Sequence, residues 1–321
     1  IVGGDGGDGV VVLRYVQPTL SLSAYGGVQP GNYAYSTGWM TAPKVQLVDT
    51  LGNAVATTGL AVTATFSGSA TLANATVNTI NGVADFSAMT LTGGSGTSGT
   101  LTFTATGYAA VTSNAFDVKS VQAALTVTST SGTYGTPLAL TVSGGTTAGN
   151  VSYAVSSGGS ASGCSISNGS LQSSTVGTCL VTATMAGNAN YFDVSSSQTT
   201  VTLGARTQDA LIVTSTSGTY NTPLTLTTSG GSGTGAVTFV VNDDTAFGCT
   251  VTNGELTSSS AGTCLVTATK AADSEYNAIS STATPVALGK AAQAPLSVTS
   301  TSGTYGSTLA LATSGGSGIG L

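Results

Sequence analysis

Histidine is missing from this 321-residue chain, and charge is scarce: six basic and twelve acidic residues, 6% of the total. Ordinary soluble domains carry about 25%. Without histidine there is no imidazole base for a nucleophile and no nitrogen ligand for zinc. Six scattered basic residues make no footprint for nucleic acid or an anionic bilayer. No run of about 18 apolar residues occurs, so no membrane insertion is expected of this segment. No signal-peptide pattern is visible. Serines are numerous, but none stands in an activating motif. The chain is therefore expected to be neither an enzyme nor a cofactor carrier. Aromatic residues make up 6%, with a single tryptophan, Trp39.

Glycine and hydroxyls fill the space that charge leaves. There are 45 glycines, and 40% of residues are hydrophobic. Some charge-poor, glycine-rich chains are disordered. Here mean hydropathy is positive, and Val, Thr, Leu and Ala alternate in short runs, as half-buried pleated backbone requires. Solubility must rest on hydroxyls. Repulsion between neighbouring copies is then weak, and the surface tolerates close lateral packing.

Repetition organises the chain. Val-Thr-Ser-Thr-Ser-Gly-Thr-Tyr occurs at Val127–Tyr134, Val213–Tyr220 and Val298–Tyr305, so its copies are 86 and 85 residues apart. That period exceeds solenoid repeats of roughly 20–50 residues and suits sandwich domains of about 100. The expected architecture is all-β: tandem immunoglobulin-like β-sandwich domains, beads on a string. The expected divisions are a glycine-rich segment and strand (1–17), domain 1 (18–119), domain 2 (120–206), domain 3 (207–290) and an incomplete fourth module (291–321).

Strands follow from alternation. In domain 1 they are expected at Thr19–Tyr25, Lys44–Asp49, Ala61–Phe66, Thr76–Ile80, Val83–Phe86, Thr100–Thr106 and Ala115–Val118. Asn81-Gly82, Asn168-Gly169 and Asn253-Gly254 are two-residue hairpin turns. Gly26–Gly38 reads as a loop. Tyr25, Tyr33, Tyr35 and Trp39 gather around it; packing of this loop onto the sandwich is the preferred reading, and they are the contact surface if the chain binds a partner. The fourth module holds two strands, too few for a sandwich. Either the chain continues past Leu321, the preferred reading, or another molecule completes the module. Ile1 in place of Met suggests a segment of a longer or processed precursor.

Three stretches resemble known families. The run Gly3–Tyr15, glycine-rich and then Val-rich with a closing Arg-Tyr, resembles the end of bacterial glycine-rich surface domains. From Pro43 to Phe116, KVQLVDTLGNAV, NGVADF and GTLTFTATGY resemble immunoglobulin-like domains of bacterial adhesins. From Leu125 onward, SGTYxTPLxLT (132–141, 218–227), SGGSGTGAVTF (229–239) and AGTCLVTATKAADSEYN (261–277) resemble tandem bacterial immunoglobulin-like modules of large secreted and cell-surface proteins. These likenesses imply fold and an extracellular, cell-surface setting, not a ligand.

Four cysteines form two pairs, Cys164/Cys179 and Cys249/Cys264, each 15 apart within one repeat. Neither CxxC spacing nor histidine supports a metal. Intradomain disulfides are expected, and with them an oxidising compartment. Calcium is a subsidiary expectation only. One copy of a calcium-type nonapeptide (Gly3, Gly4, Gly6, Asp8, Val10) lacks stacked neighbours. Asp243-Asp244 has no counterpart in domain 2, and Asp273 with Glu275 faces an uncharged stretch there. Lys44, Asp85 and Asn114 could be aligned as an isopeptide trio like those of pilus domains, although any long chain offers such a set. The expected function is a structural stalk or filament of a bacterial surface or matrix, with self-association or other surface proteins as partners. The rival is an adhesin whose domain 1 loops bind a host or polysaccharide ligand. An accessory region of an enzyme comes third.

Overall fold

The computed structural model describes residues 16–35 and 37–317. The nonapeptide and the Gly3–Tyr15 run lie outside them. Every regular element among the described residues is a strand. The chain is a series of immunoglobulin-like sandwiches, and its buried residues fall into three clusters, Leu20–Val118, Leu125–Leu203 and Leu211–Leu288.

Alternation makes each core. In Gly177–Met185 the buried residues are Cys179, Val181, Ala183 and Met185, with threonines and Leu180 between them. Thr199–Gly204 buries Val201 and Leu203 in the same way. In the first module Phe86 and Phe103 lie at the centre, ring centroids 4.9 Å apart, among Leu47, Met89, Leu91 and Leu101.

The second and third modules share one topology. In the second, one sheet runs Ser131–Thr133, Thr199–Gly204, Gly177–Met185, Val151–Ser156. The facing layer holds Leu138–Ala139, Ser170–Gln172 and Ser165–Ser167, and beside it Leu125–Val127 pairs with Val142–Gly144. The third module repeats this order from Ile212–Val213 to Thr284–Gly289.

The octapeptide proves to be more than a first strand and turn. It leaves Leu125–Val127 in one layer and enters the other as Ser131–Thr133, parallel to the last strand of the module. Its hydroxyls hold the crossing. Thr128 and Thr141 share a 2.7 Å hydrogen bond, and Ser129 Oγ accepts the Thr141 N–H at 2.8 Å. Thr214, Ser215 and Thr227 repeat both contacts. The Ser143-Gly144 pair seals the same corner. Gly144 has φ +87°, and a Cβ there would collide with the Ala124 carbonyl oxygen.

Two expectations are corrected in the first module. Asn81-Gly82 makes its turn, with φ of 49° and 81° and an Ile80–Val83 bridge. Its flanks do not form a hairpin. Thr76–Asn78 pairs with Ala61–Phe66, whereas Val83–Asp85 pairs with Lys44–Val48, at opposite ends of one seven-stranded path. Gly26–Gly38 is not simply a loop, because Tyr33–Ala34 and Gly38–Trp39 pair as short strands. Burial of their rings supplies the stability that so few backbone bonds do not.

In the fourth module Leu296–Val298 pairs with Thr313–Gly315. Leu296 is 67% exposed where its counterpart Leu211 is 3%.

Candidate functional site

Both expected disulfides are formed. Cys164–Cys179 and Cys249–Cys264 have Cα separations of 6.0 and 6.1 Å. Each bridges the two layers, from just before a facing-layer hairpin to the long central strand. Cys179 and Cys264 are fully buried.

The aromatic group is mostly internal. Tyr33 is 3% exposed, and its ring meets Tyr35 and Trp39 edge-on at 6.0 and 5.0 Å. Trp39 continues to Phe116 at 5.2 Å, and its indole N–H donates to the Met89 carbonyl at 2.7 Å. The Tyr35 hydroxyl donates to the Gly93 carbonyl. Tyr33 is thus part of the first core, and Tyr35 and Trp39 pack half-buried against its end. The short strands Tyr33–Ala34 and Gly38–Trp39 turn the Tyr33 and Trp39 rings toward the core, which loop-like composition concealed. Tyr25 alone stands out, 66% exposed at φ 55°.

Lys44 and Asp85 do meet, directly opposite across two strands, with Nζ 2.8 Å from Oδ2. Both side chains are more than two-fifths exposed. The Lys44 ammonium hydrogen bond is the main cause holding the Asp85 carboxyl below its usual range. An isopeptide bond would need a buried, protonated acid beside the pair. The Asn114 backbone N–H donates to the Gln29 side chain, and no hydrogen bond joins Asn114 to the pair. The pair is an exposed ion pair.

Acidic side chains serve as turn caps. Asp243 accepts from the Cys249 and Gly248 backbone at 2.8 and 3.1 Å. Asp273 accepts from the backbone N–H groups of Glu275 and Tyr276 on one oxygen, and of Thr234 on the other. Asn188, its counterpart, receives the Asn190 and Tyr191 N–H groups with its amide oxygen. The shared role is acceptance, so an uncharged side chain suffices in the second module. Among the described residues no three His, Cys, Asp or Glu side chains gather in a metal-binding group.

The backbone donors on Asp273, led by Glu275, lower its pKa to about 2. A depressed carboxyl contributes stability that is present above its unfolded value near 3.8 and lost as pH falls through about 2. The 273–276 turn is therefore expected to loosen between about pH 4 and pH 2. Amide exchange of Glu275 and Tyr276 checks this. Asp273→Asn should remove the pH response, and a response that survives the substitution would reject the assignment.

Where each repeat opens, a buried glutamine makes a dense set of polar contacts, and linker composition gave little hint of it. Gln122 is 7% exposed and Gln208 5%. The Gln122 amide nitrogen donates to Phe192 O at 2.9 Å, with longer contacts to Met185 O and Ala186 O. Its oxygen accepts from Thr146 N, Thr147 N and Thr147 Oγ1 at 3.0–3.1 Å. Gln208 donates to Asn277 O and Ala271 O and accepts from Gly233 N. The available signal was positional: Gln122, Gln208 and Gln293 each stand three residues before the leucine that opens a repeat.

Two residues earlier the linker docks as backbone. Ser120 N–H donates to Asn190 O and its carbonyl accepts from Phe192; Arg206 does the same with Glu275 and Asn277. The Arg206 side chain adds a clamp. Its guanidinium lies 5.1 Å from the Tyr134 ring of the second module and 4.6 Å from the Tyr276 ring of the third. Its Nη2 is 2.7 Å from Glu275 Oε2. At the first junction Lys119 stands over Phe192 at 5.6 Å, and Ser95 Oγ reaches Asn190 O at 3.3 Å.

No protein-family model matches the chain. No curated protein matches its sequence. Among solved structures it is similar to invasin, described as a bacterial integrin-binding protein, at 16% identity and TM-score 0.34, covering 88% of this chain and 61% of that one. It is also similar to EC1–4 of Drosophila N-cadherin, at 10% identity and TM-score 0.21, covering 74% and 69%. A third is the S-layer protein SbsC, at 15% identity and TM-score 0.25, covering 88% and 42%. The chain thus spans about three-fifths of the invasin structure and about two-fifths of the SbsC one.

Proposed function

We propose that this chain is a structural stalk or filament segment of a bacterial cell surface or extracellular matrix, its sandwiches held in fixed succession. The observation that carries this reading is contact between successive modules: Lys119 over Phe192 and Ser95 on Asn190 at the first junction, and the Arg206 guanidinium between the Tyr134 and Tyr276 rings at the second. A freely jointed string of domains has no need of such contacts. The two formed disulfides fit an oxidising setting outside the cytoplasm. No helix of the described residues is long and apolar enough to cross a membrane.

Spin labels on exposed sites of the second and third modules test it. A single narrow distance distribution is expected for the native chain. Arg206→Ala removes both ring contacts, worth roughly 0.5–1 kcal/mol each at partly exposed sites, and should broaden that distribution without unfolding either module. A native distribution as broad as that of the variant would reject the stalk reading. An adhesive role through the first module would draw on exposed Tyr25 first and on the half-exposed faces of Tyr35 and Trp39, since Tyr33 is buried.

A further inference from the structure

We propose that the strands Val151–Ser156 and Val237–Asp243 are docking edges at which a second copy of this chain pairs side by side, antiparallel and in one defined register. The inference rests on the stalk reading and supplies its partner. Elsewhere among the described residues of the three cores, sheets end in strands of two or three residues. These two edges run to six and seven. Long free edges are usually blunted by lysine, proline, a bulge or a cover. Val151–Ser156 has no charge and no proline, and it pairs with its inner neighbour through six residues without a register break. Val237–Asp243 is equally regular, and its one charge, Asp243, is occupied by the Cys249 and Gly248 N–H groups.

The register follows from the backbone. Ala186 N–H donates to Asn150 O, and Ala271 N–H to Ala236 O. Bonding alternates along an antiparallel ladder. Ser152, Ala154 and Ser156 therefore bond inward, and Val151, Tyr153 and Val155 direct N–H and C=O outward. In the third module the outward set is Val237, Phe239 and Val241. The same residues bear the half-buried, core-facing side chains. A twofold axis at Tyr153 sets Tyr153 opposite Tyr153 and Val151 opposite Val155. Each outward N–H then meets a carbonyl, and the apolar layer of one sandwich continues into the next. An axis at Phe239 does the same for Val237 and Val241, with Asp243 opposite the uncharged Gly235. Both edges thus read Val-x-aromatic-x-Val, the same in either direction. That self-complementarity selects a second copy as the occupant, and a chain with 6% charge offers little repulsion against it.

Sedimentation of the full chain over a concentration series tests the proposal. The native chain should form concentration-dependent dimers and larger species. Ser152→Lys with Ala154→Lys and Thr238→Lys with Val240→Lys place lysine opposite lysine on exposed positions of both edges. This variant should raise the dissociation constant roughly tenfold or more. Mixing it with the chain carrying glutamates at those four positions should restore association. In that register residue 152 lies in a non-hydrogen-bonded pair with residue 154, close enough for a disulfide. Ser152→Cys chains mixed with Ala154→Cys chains should cross-link, and far more than either alone. A native chain that stays monomeric, or a lysine variant that associates as well as the native chain, would overturn the proposal. X-ray scattering of the monomeric lysine variant keeps the two readings apart. An extended monomer leaves the stalk intact whatever the edges do, and a collapsed one removes the stalk alone.

Discussion

Replacing Cys164 and Cys179 together by alanine is expected to lower the unfolding free energy of the second module by about 3 kcal/mol and to leave the third unchanged. The bridge closes a loop of 15 residues. Loop-closure entropy for that length is about 3 kcal/mol, on a model that treats the gain as a loss of freedom in the unfolded chain. For a module of this size the loss corresponds to a midpoint fall of roughly 12–24 °C. The bridge also ties one layer to the other, so its loss should loosen the Ser165–Gln172 hairpin before the rest. Calorimetry with the two modules resolved checks it, the Cys249–Cys264 module serving as internal reference. A second-module midpoint in the variant equal to its native value would show that the bridge contributes nothing.

Gln122→Ala should come close to this in size. The side chain fills six polar contacts within the second module, and it is almost wholly buried. Truncation leaves backbone groups of Thr146, Thr147 and Phe192 without their partner. Each buried unsatisfied group costs about 1–3 kcal/mol, and water entering the gap recovers part of that. A net loss of about 2–4 kcal/mol is expected, together with a freer first junction, because Gln122 and Ser120 dock on the same 185–192 loop. Gln122→Met separates shape from hydrogen bonding: it fills the space but should still lose most of the stability. Chemical denaturation measures both variants, and a Met variant as stable as the native chain would mean that the amide is merely packed.

The two cases differ in how far they could be seen in advance. Paired cysteines at equal spacing in successive repeats admit few readings, and alternating Val and Thr mark strands because a pleated sheet shows every second side chain to the core. Asn168-Gly169 and Asn253-Gly254 were legible for the same local reason, since both residues of their turns need positive φ. Asn81-Gly82 shows the limit. The turn is local, but which strands its flanks join is a property of the whole sheet. Gln122 looked like linker because its partners lie up to 70 residues away. Tyr33 and Trp39 looked like loop residues because strands of two residues leave no periodic trace. Ser131–Thr133 carries no apolar residue at all, so nothing in composition announces that it changes layers.

That change of layer has a mechanical meaning. After Leu125–Val127 the chain runs along Ser131–Thr133, and it leaves the second module along Thr199–Gly204; these two strands lie parallel and adjacent. Thr202 N–H to Thr130 O and Tyr134 N–H to Gly204 O join them, at 2.9 and 2.8 Å. Tension between the two ends of the module pulls the strands past each other, and these bonds are loaded together in shear rather than opened one after another. The third module repeats the arrangement with Ala287 to Thr216 and Tyr220 to Gly289. In the first module the last strand, Phe116–Lys119, also has a parallel partner, but through two positions, Val118 with Tyr33 and Lys119 with Ala34, against three in each repeat. Under load that module has the shorter clamp, and the octapeptide lengthens it by one position in each repeat that follows.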